Sequence, residues 1–554
     1  MSPSDLLCSN KTLSAHRTQV ILLFILLLAA VLRLIYFGQA PPGLNQDEAV
    51  NAWNAYCLLK TGADQVDVRW PIFYIHGIGG SWSPLYIYLS IPFQMIGGLN
   101  LTTARIPPVF FGVLAVALIY FAGKRLFNEK VALTAALLLT INPWHFQQCR
   151  WGHESSIAAL LGLTPLVMIL WSSIIPIGDS CNRPFAAAAA GLITGICCYG
   201  YQPVRVFVPV FLFLIVLFTL PQLWQNLKKP RCRLTAVMFA AAFAVVFVPL
   251  AWQHIFHSEE INRHFMFQTE RFGSVGLYES LKNAFARYGQ HFGPGFLFAP
   301  IDYLSPPRSG LLQWYMLPLL LAGLISLAVR FKTCLLARVL LAFVLAFPVG
   351  DCLVWGQPLS TLRSFVGLTG IILLAALGAV SAFDWLWSVY KNLALLAAGA
   401  FVAVVFVCVI HYFTGYFRYY RDDPTVYYRF QCDLVEACEW LRSRYDEYDA
   451  IFCTTNGMNM PAMISLVVLG YDPICWSKQP RLGFTLKEWD YYTRYGKMIF
   501  MYPDISIPDI SELRQNSSSK HILFIVRPGE LGLTSPIYRI KDRTGRECLW
   551  LCEL

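Results

Sequence analysis

Charge is what this sequence has least of. Only 14% of its 554 residues are Asp, Glu, Lys or Arg, against about 25% in an ordinary soluble domain, while 56% are hydrophobic. Over most of its length the chain therefore cannot have water as its main solvent. Also missing are a glycine-rich phosphate loop behind a strand, the close CxxC spacing of a zinc or redox motif, a repeat of fixed period and any low-complexity tract. These absences argue against a mononucleotide site, a zinc ribbon and a solenoid. No small-residue cleavage site follows Phe37, so the first apolar run reads as a retained anchor. The formal charge of +10 does not point to nucleic acid, because the basic residues are not gathered into one aromatic-studded patch.

What is present is a series of long apolar runs. A bilayer span needs about 20 such residues, because the hydrocarbon core is roughly 30 Å thick. Runs at 20–37, 106–122, 131–146, 157–175, 185–199, 204–220, 234–252, 311–329, 337–355, 365–383 and 393–413 give a polytopic helical bundle of eleven spans. The basic residues sit in the short connections. Numbered alternately from the N-terminus, one side receives Lys11, Arg17, Lys124, Arg125, Lys130, Arg183, Lys228, Lys229, Arg231, Arg233, Arg330, Lys332, Arg338 and Lys391. The positive-inside rule makes that side the cytoplasm. The N-terminus is then cytoplasmic, the long loops 38–105 and 253–310 lie outside, and so does everything after Phe413. Segment 84–98 is apolar but short and broken by Pro92. Were it to cross, Lys124, Arg125 and Lys130 would be exported, so it reads as a helix at the outer interface.

Two domains follow from this pattern: a membrane bundle over residues 1–413 and an extracytoplasmic domain over 414–554. In the second, Asp423-Pro424 marks a helix start and 425–445 carries apolar positions near helical spacing. Short apolar runs at 449–453, 497–501, 521–526 and 548–552 read as strands, giving a small α/β domain with a packing or partner-binding role. Its six cysteines, Cys432, Cys438, Cys453, Cys475, Cys548 and Cys552, are an even number that permits disulfides in an exported domain.

Chemistry-bearing residues gather at the outer ends of the spans. Just past the first span lies PPGLNQDEAVNAWNAYCLLKTG, with Asp47 and Glu48 at the start of a helix. A carboxylate there can take a proton from an incoming hydroxyl or amine; the plainer reading is a charge favouring the helix N-terminus. Arg105 opens the second span, Arg150 and Glu154 follow the third, Tyr201 and Arg205 open the sixth, and Arg363 opens the tenth. Arg263, His264, His291 and Arg308 belong to the 253–310 loop. Any one such arginine can be a snorkelling anchor. Several at one depth beside two acidic sites suit a lipid-linked phosphate, whose oxygens guanidinium forks bind in pairs.

The runs NQDEAVNAWNAYCLLKTG, SPLYIYL, TARIPPVFFGVLAVALIYFAGKRLF, INPWHFQQCRWGHES and YGYQPVRVFVP, with weaker echoes at YGQHFGPGFLF and LSTLRSF, resemble the bacterial branch of the protein mannosyltransferase and aminoarabinose transferase superfamily. The similarity follows in order over roughly the first 220 residues. It implies the GT-C fold and a glycosyltransferase using a polyprenyl-phosphate sugar donor. Asp47 would be the base or acceptor-orienting group, Glu48 its neighbour and Glu154 a second acidic residue. Arg105, Arg150, Arg205 and Arg363 are candidates for the donor phosphate, and Tyr201, His264, His291 and Arg308 for substrate contact. Many relatives have a lysine and two prolines ahead of LYIY, where this chain has Trp82 and Ser83. Another cation, such as Arg105 or Arg205, must replace that lysine if it holds phosphate.

The expected reaction is a single displacement at the anomeric carbon with inversion, next to a bacterial inner membrane that shelters the lipid tail. The acceptor, whether protein, glycolipid or glycan, stays open, and so does the sugar. A divalent metal is also open, since His254, His257, His264 and His291 share one loop near two acidic sites. The rival classes are a lipid or sugar flippase and a noncatalytic envelope scaffold. Flippases place ionisable residues mid-membrane, whereas here the exceptions, Arg33 and Asp351, lie near outer span ends.

Overall fold

A computed structural model describes residues 15–174, 183–257, 276–300, 309–354, 357–486, 489–503, 505, 513 and 521–554. Each of the eleven apolar runs overlaps a helix among the described residues. By length and composition eight are able to cross a membrane: Ala15–Leu34, Leu101–Leu126, Glu154–Ser172, Gln202–Leu227, Pro230–Phe256, Leu335–Cys352, Arg363–Val389 and Lys391–Tyr420. Pro184–Cys197 and Met316–Arg330 are shorter apolar helices, and Glu129–Ile141 is continued by Pro143–Gln148 after a bend. The chain is a multi-pass membrane protein. Its helices bear apolar side chains outward as well as inward: Leu396, Val402, Phe406 and Val407 of the last span are all exposed, a surface suited to lipid rather than water.

The bend at Asn142 shows how local chemistry shapes the bundle. Pro143 has no N–H to continue the preceding helix, and the Asn142 side chain accepts from the His145 amide at 2.9 Å, starting the next one. Asn142→Ala is expected to cost about 1 kcal/mol, read as a lower melting temperature of the detergent-solubilised protein.

Segment 84–98 forms the helix Pro84–Gly97, with Pro92 inside it. It packs on Gln46–Thr61 and on Leu101–Leu126. A two-stranded hairpin, β1 (Ile75–Gly77) and β2 (Gly80–Trp82), precedes it.

The C-terminal region is the α/β unit that its apolar runs imply. Its strands are β3 (Ala450–Thr454), β4 (Leu482–Leu486), β5 (Trp489–Tyr495), β6 (Met498–Met501), β7 (Ile522–Val526), β8 (Tyr538–Lys541) and β9 (Glu547–Glu553). They form one sheet of order β4-β5-β6-β3-β7-β9-β8. β3 runs parallel to β6 and β7, and the flanking pairs are antiparallel. The central strands are covered on both faces, which accounts for their unbroken hydrophobic runs.

Two expectations change here. The helix expected over 425–445 is two helices, Pro424–Arg429 and Cys432–Arg442, split where Gln431 takes a left-handed φ of 45°. Long-range bonds hold that break open. The Gln431 side chain donates to the Asn459 carbonyl at 2.6 Å and accepts from its amide at 3.1 Å, while the Leu44 amide donates to the Phe430 carbonyl at 2.7 Å. The permitted disulfides do not form either, since all six tail cysteines are free thiols.

The tail is not an appendage. Helix Gln46–Thr61 is buried on nearly every face, and its Ala49, Val50, Trp53 and Cys57 share one apolar core with Leu434, Leu441, Ile464, Leu466 and Trp476 of the tail. Trp476 packs edge-on against Trp53 with ring centroids 5.7 Å apart, and its indole N–H donates to the Gln65 carbonyl. The helix that carries Asp47 and Glu48 is thus clamped between bundle and tail.

Candidate active site

Asn45 caps helix Gln46–Thr61 in a capping box: its side chain accepts from the Asp47 amide, and the Glu48 carboxylate accepts from the Asn45 amide. Consecutive helical residues point about 100° apart, so the two acids face different surroundings. Glu48 turns inward and is fully buried, taking Nε and Nη2 of Arg105 at 2.8 Å each and the Gly152 amide at 2.7 Å. Arg105 also donates to the carbonyls of Pro41 and Gly43. This buried, bidentate pair ties the first loop to the bundle. Asp47 turns the other way, with 23% of its side chain exposed, onto a cavity of about 600 Å3.

That cavity brings together residues from distant parts of the chain. Asp47, Trp82, Glu154, Tyr201, Arg205, His254, Arg363 and Trp489 all line it. One wall is apolar, built from Val206, Phe247, Leu250, Ala251, Ile255, Leu353 and Val354. The tail supplies Trp489, which the sequence reading did not single out. Its ring lies where a Cβ on Gly79 would stand 2.7 Å away, so hairpin β1–β2 approaches closely only because position 79 has no side chain. The Asp490 amide donates to the Ile78 carbonyl and fixes the contact.

Burial, followed by the nearby Glu48 charge, pushes the Asp47 carboxyl up to about 7. Its neighbour is His153, with Nε2 3.7 Å from Asp47 Oδ2, longer than a hydrogen bond. The Ser155 amide donates to His153 Nδ1 at 2.9 Å, which leaves the ring proton on Nε2, facing Asp47. Desolvation takes the imidazole down to about 3, so it stays neutral. Trp151 stacks on one side of the ring, and Trp82 and Tyr201 meet it edge-on.

Glu154 accepts from the Ser83 amide at 2.8 Å. The Ser83 hydroxyl accepts from Arg205 Nη2 at 3.1 Å, Arg205 Nε donates to the Cys198 carbonyl, and Nη1 stands 2.7 Å from His254 Nε2. Ser83 therefore links Glu154, through its amide, to Arg205, through its hydroxyl. Arg363 donates to Asp351 at 3.0 Å and remains 21% exposed.

Four expected site residues lie elsewhere. Glu48 and Arg105 are spent on each other. Arg150 donates to the carbonyls of Arg33, Ile35, Tyr36 and Ala40, closing the C-terminal end of the first span, and lies over Phe146, Tyr416 and Phe417. His291 is fully buried against Asp351. None of the four is among the residues that line the cavity, and each makes the buried contacts just given. His264 and Arg308, with Arg263, lie outside the described residues. Among the described residues no group of three His, Cys, Asp or Glu side chains is placed to hold a metal ion; His254 and His291 of the expected histidine set are committed to Arg205 and Asp351.

The fold is that of the GT-C membrane glycosyltransferases. Residues 81–252 match the family model described as dolichyl-phosphate-mannose-protein mannosyltransferase. Over 171 residues the chain is 28% identical to dolichyl-phosphooligosaccharide-protein glycotransferase 2 of Pyrococcus furiosus, a stretch covering 29% of this chain and 21% of that protein. The chain thus matches only about a fifth of that relative's length. Among solved structures, ArnT from Cupriavidus metallidurans bound to undecaprenyl phosphate superposes with a TM-score of 0.50 at 14% identity, covering 97% of this chain and 98% of that one. AglB from Archaeoglobus fulgidus, in complex with an inhibitory peptide and a dolichol-phosphate, gives 0.51 at 14% identity, over 82% and 64%.

Proposed function

We propose that this protein transfers a sugar from a polyprenyl-phosphate donor to an acceptor at the outer face of a bacterial inner membrane. The observation that carries the proposal is one cavity in which two carboxylates and two guanidiniums from distant parts of the chain meet an apolar wall. The donor's phosphate lies between Arg205 and Arg363, and its prenyl tail runs along Phe247, Leu250, Ala251 and Ile255. The acceptor reaches Asp47 from the side formed by Trp82, Tyr201 and Trp489. Glu154, held by the Ser83 amide, orients a hydroxyl of donor or acceptor.

In the reaction the acceptor oxygen or nitrogen attacks the anomeric carbon as Asp47 takes its proton. The bond from that carbon to the phosphate oxygen breaks, and its electron pair leaves with polyprenyl phosphate. The two guanidiniums offset the charge that develops there. Positioning supplies much of the remainder. One displacement inverts the anomeric configuration.

The purified protein, given a polyprenyl-phosphate sugar and candidate acceptors, is expected to release polyprenyl phosphate and form a product of inverted configuration. A retained configuration, or no turnover with any acceptor, overturns the proposal. A pH profile adds a second check. With Asp47 titrating at about 7, roughly a tenth of the protein carries the base at pH 6 and about nine tenths at pH 8, so the rate climbs through neutrality and levels off above it. The same shift acts against stability as pH rises: between about pH 4 and 7 the folded state holds this proton where an unfolded carboxyl has lost it, so stability is highest below about pH 4 and falls until the full cost is reached above 7.

A further inference from the structure

Two pairs of consecutive residues meet beside the cavity: Asp47 and Glu48 at the start of helix Gln46–Thr61, and Gly152 and His153 just ahead of the span Glu154–Ser172. Glu48 and Gly152 are bonded, the Gly152 amide donating to Glu48 Oε1 at 2.7 Å, and this sets the spacing of Asp47 and His153. Gly152 fits there without a side chain, since a Cβ would stand 2.3 Å from the Ala104 carbonyl oxygen. His153 is held as firmly. Its ring stacks on Trp151 with centroids 5.0 Å apart and an interplanar angle of 15°, its Nδ1 accepts from the Ser155 amide at 2.9 Å, and its carbonyl accepts from the Ser156 amide at 2.9 Å. An amide N–H can only donate, so Nδ1 carries no proton and the ring N–H is on Nε2, the nitrogen that faces Asp47.

The ionisable side chains around Asp47 among the described residues are Glu48 on its own helix, Tyr86 and Arg105 from the two bundle helices packed on that helix, His153 and Glu154, and, across the cavity, Tyr201, Arg205, His254 and Arg363. Glu48 and Arg105 are occupied with each other, and Glu154 with the Ser83 amide. His153 is the one described basic side chain in ion-pair range of the Asp47 carboxylate, with Nε2 3.7 Å from Oδ2.

We infer that His153 is a positioning residue for the base, a role that rests on the proposed sugar transfer: its Nε2–H closes onto Asp47 Oδ2 and leaves Oδ1 turned to the acceptor's proton. Hydrogen bonds between catalytic groups are often long in the free enzyme and shorten once substrate is bound. A neutral donor suits this task. A guanidinium in the same place would pair with the carboxylate and weaken it as a base, whereas the imidazole N–H steadies one oxygen. His153 takes no proton from the acceptor and acts through Asp47.

The test is titration of the Asp47 carboxyl in the full-length protein in detergent, followed by infrared absorbance as the difference between each protein and its Asp47→Asn counterpart. Two substitutions divide the work of the ring. His153→Asn places an amide oxygen where Nδ1 was and keeps the turn capped, but its nitrogen stops short of the Nε2 position. His153→Gln reaches that position with a donor and gives up the cap. His153→Asn is expected to raise the midpoint by about one pH unit, because a bond to the charged form is lost. Transfer should then slow roughly tenfold near pH 6 and return almost to the wild-type rate at about pH 9. His153→Gln is expected to stay near the wild-type midpoint. A purely structural role for the ring predicts the reverse order, with His153→Gln the more damaging, and that result overturns the inference, as does an unmoved midpoint in His153→Asn. If His153→Asn does not survive purification, a wild-type midpoint in His153→Gln supports the inference and one raised by a full unit overturns it. The titration needs neither donor nor acceptor, so a wild type that transfers no sugar strikes the proposed function itself, an outcome distinct from the others.

Discussion

Asp47→Asn is expected to lower sugar transfer by about 10² to 10⁴, the usual contribution of a general base, while leaving the protein folded. The substitution is isosteric, and the capping bond at this position is made by the Asp47 backbone amide, not its side chain. The loss should therefore appear in kcat, with a melting temperature at neutral pH no lower than that of the wild type, since the raised Asp47 carboxyl opposes folding there. Glu48→Gln makes a sharp contrast. It removes charge from a buried pair with Arg105, and breaking such a pair is strongly destabilising, so its effect should appear first as lost folded protein. If Asp47→Asn kept wild-type turnover, the carboxylate facing the cavity would have no part in proton transfer.

Arg205→Ala is expected to cost about 10² to 10³ in kcat, the range for removing one preorganised group that stabilises charge in the transition state. Arg205 is aimed by three contacts, with the Cys198 carbonyl, the Ser83 hydroxyl and His254. A lysine has neither the fork nor the reach to keep all three, so Arg205→Lys should recover little. The measurement is single-turnover release of polyprenyl phosphate from bound donor. Release at half the wild-type rate or better in Arg205→Ala would remove Arg205 from the leaving group.

Position along the chain was enough to place Asp47, Glu154, Arg205 and Arg363 at one end of the bundle, because charges at span ends report depth. Depth is not direction. Glu48 follows Asp47 immediately, yet the helix turn sends it into the protein, and Arg105 and Arg150 meet protein carboxylate and carbonyls before any ligand can reach them. No periodicity shows that the carbonyls closing the first span would need Arg150. In the tail, β3, β6, β7 and β9 were legible as apolar runs. β4, β5 and β8 were not, since these edge and near-edge strands have few buried positions and carry no unbroken apolar run, as in Leu482–Leu486, where no residue is buried. Trp489 was invisible as a cavity residue because only the docking of β5 on hairpin β1–β2, far away in the sequence, carries it there. The break at Gln431 is of the same kind: a residue ordinary in itself is held left-handed by Asn459.

The tail's part in the site follows from that docking. Helix Gln46–Thr61 shares its core with the tail, and the cavity takes Trp489 from it. The C-terminal unit thus helps to shape the surroundings of the proposed base.

A structure of the protein with polyprenyl phosphate bound tests the account most directly. The phosphate is expected within hydrogen-bond distance of both Arg205 and Arg363, with the prenyl chain along Phe247, Leu250 and Ile255 and Asp47 facing the phosphate across the space left for the sugar. A phosphate seated away from those two guanidiniums, or a lipid chain on another face of the bundle, would contradict it.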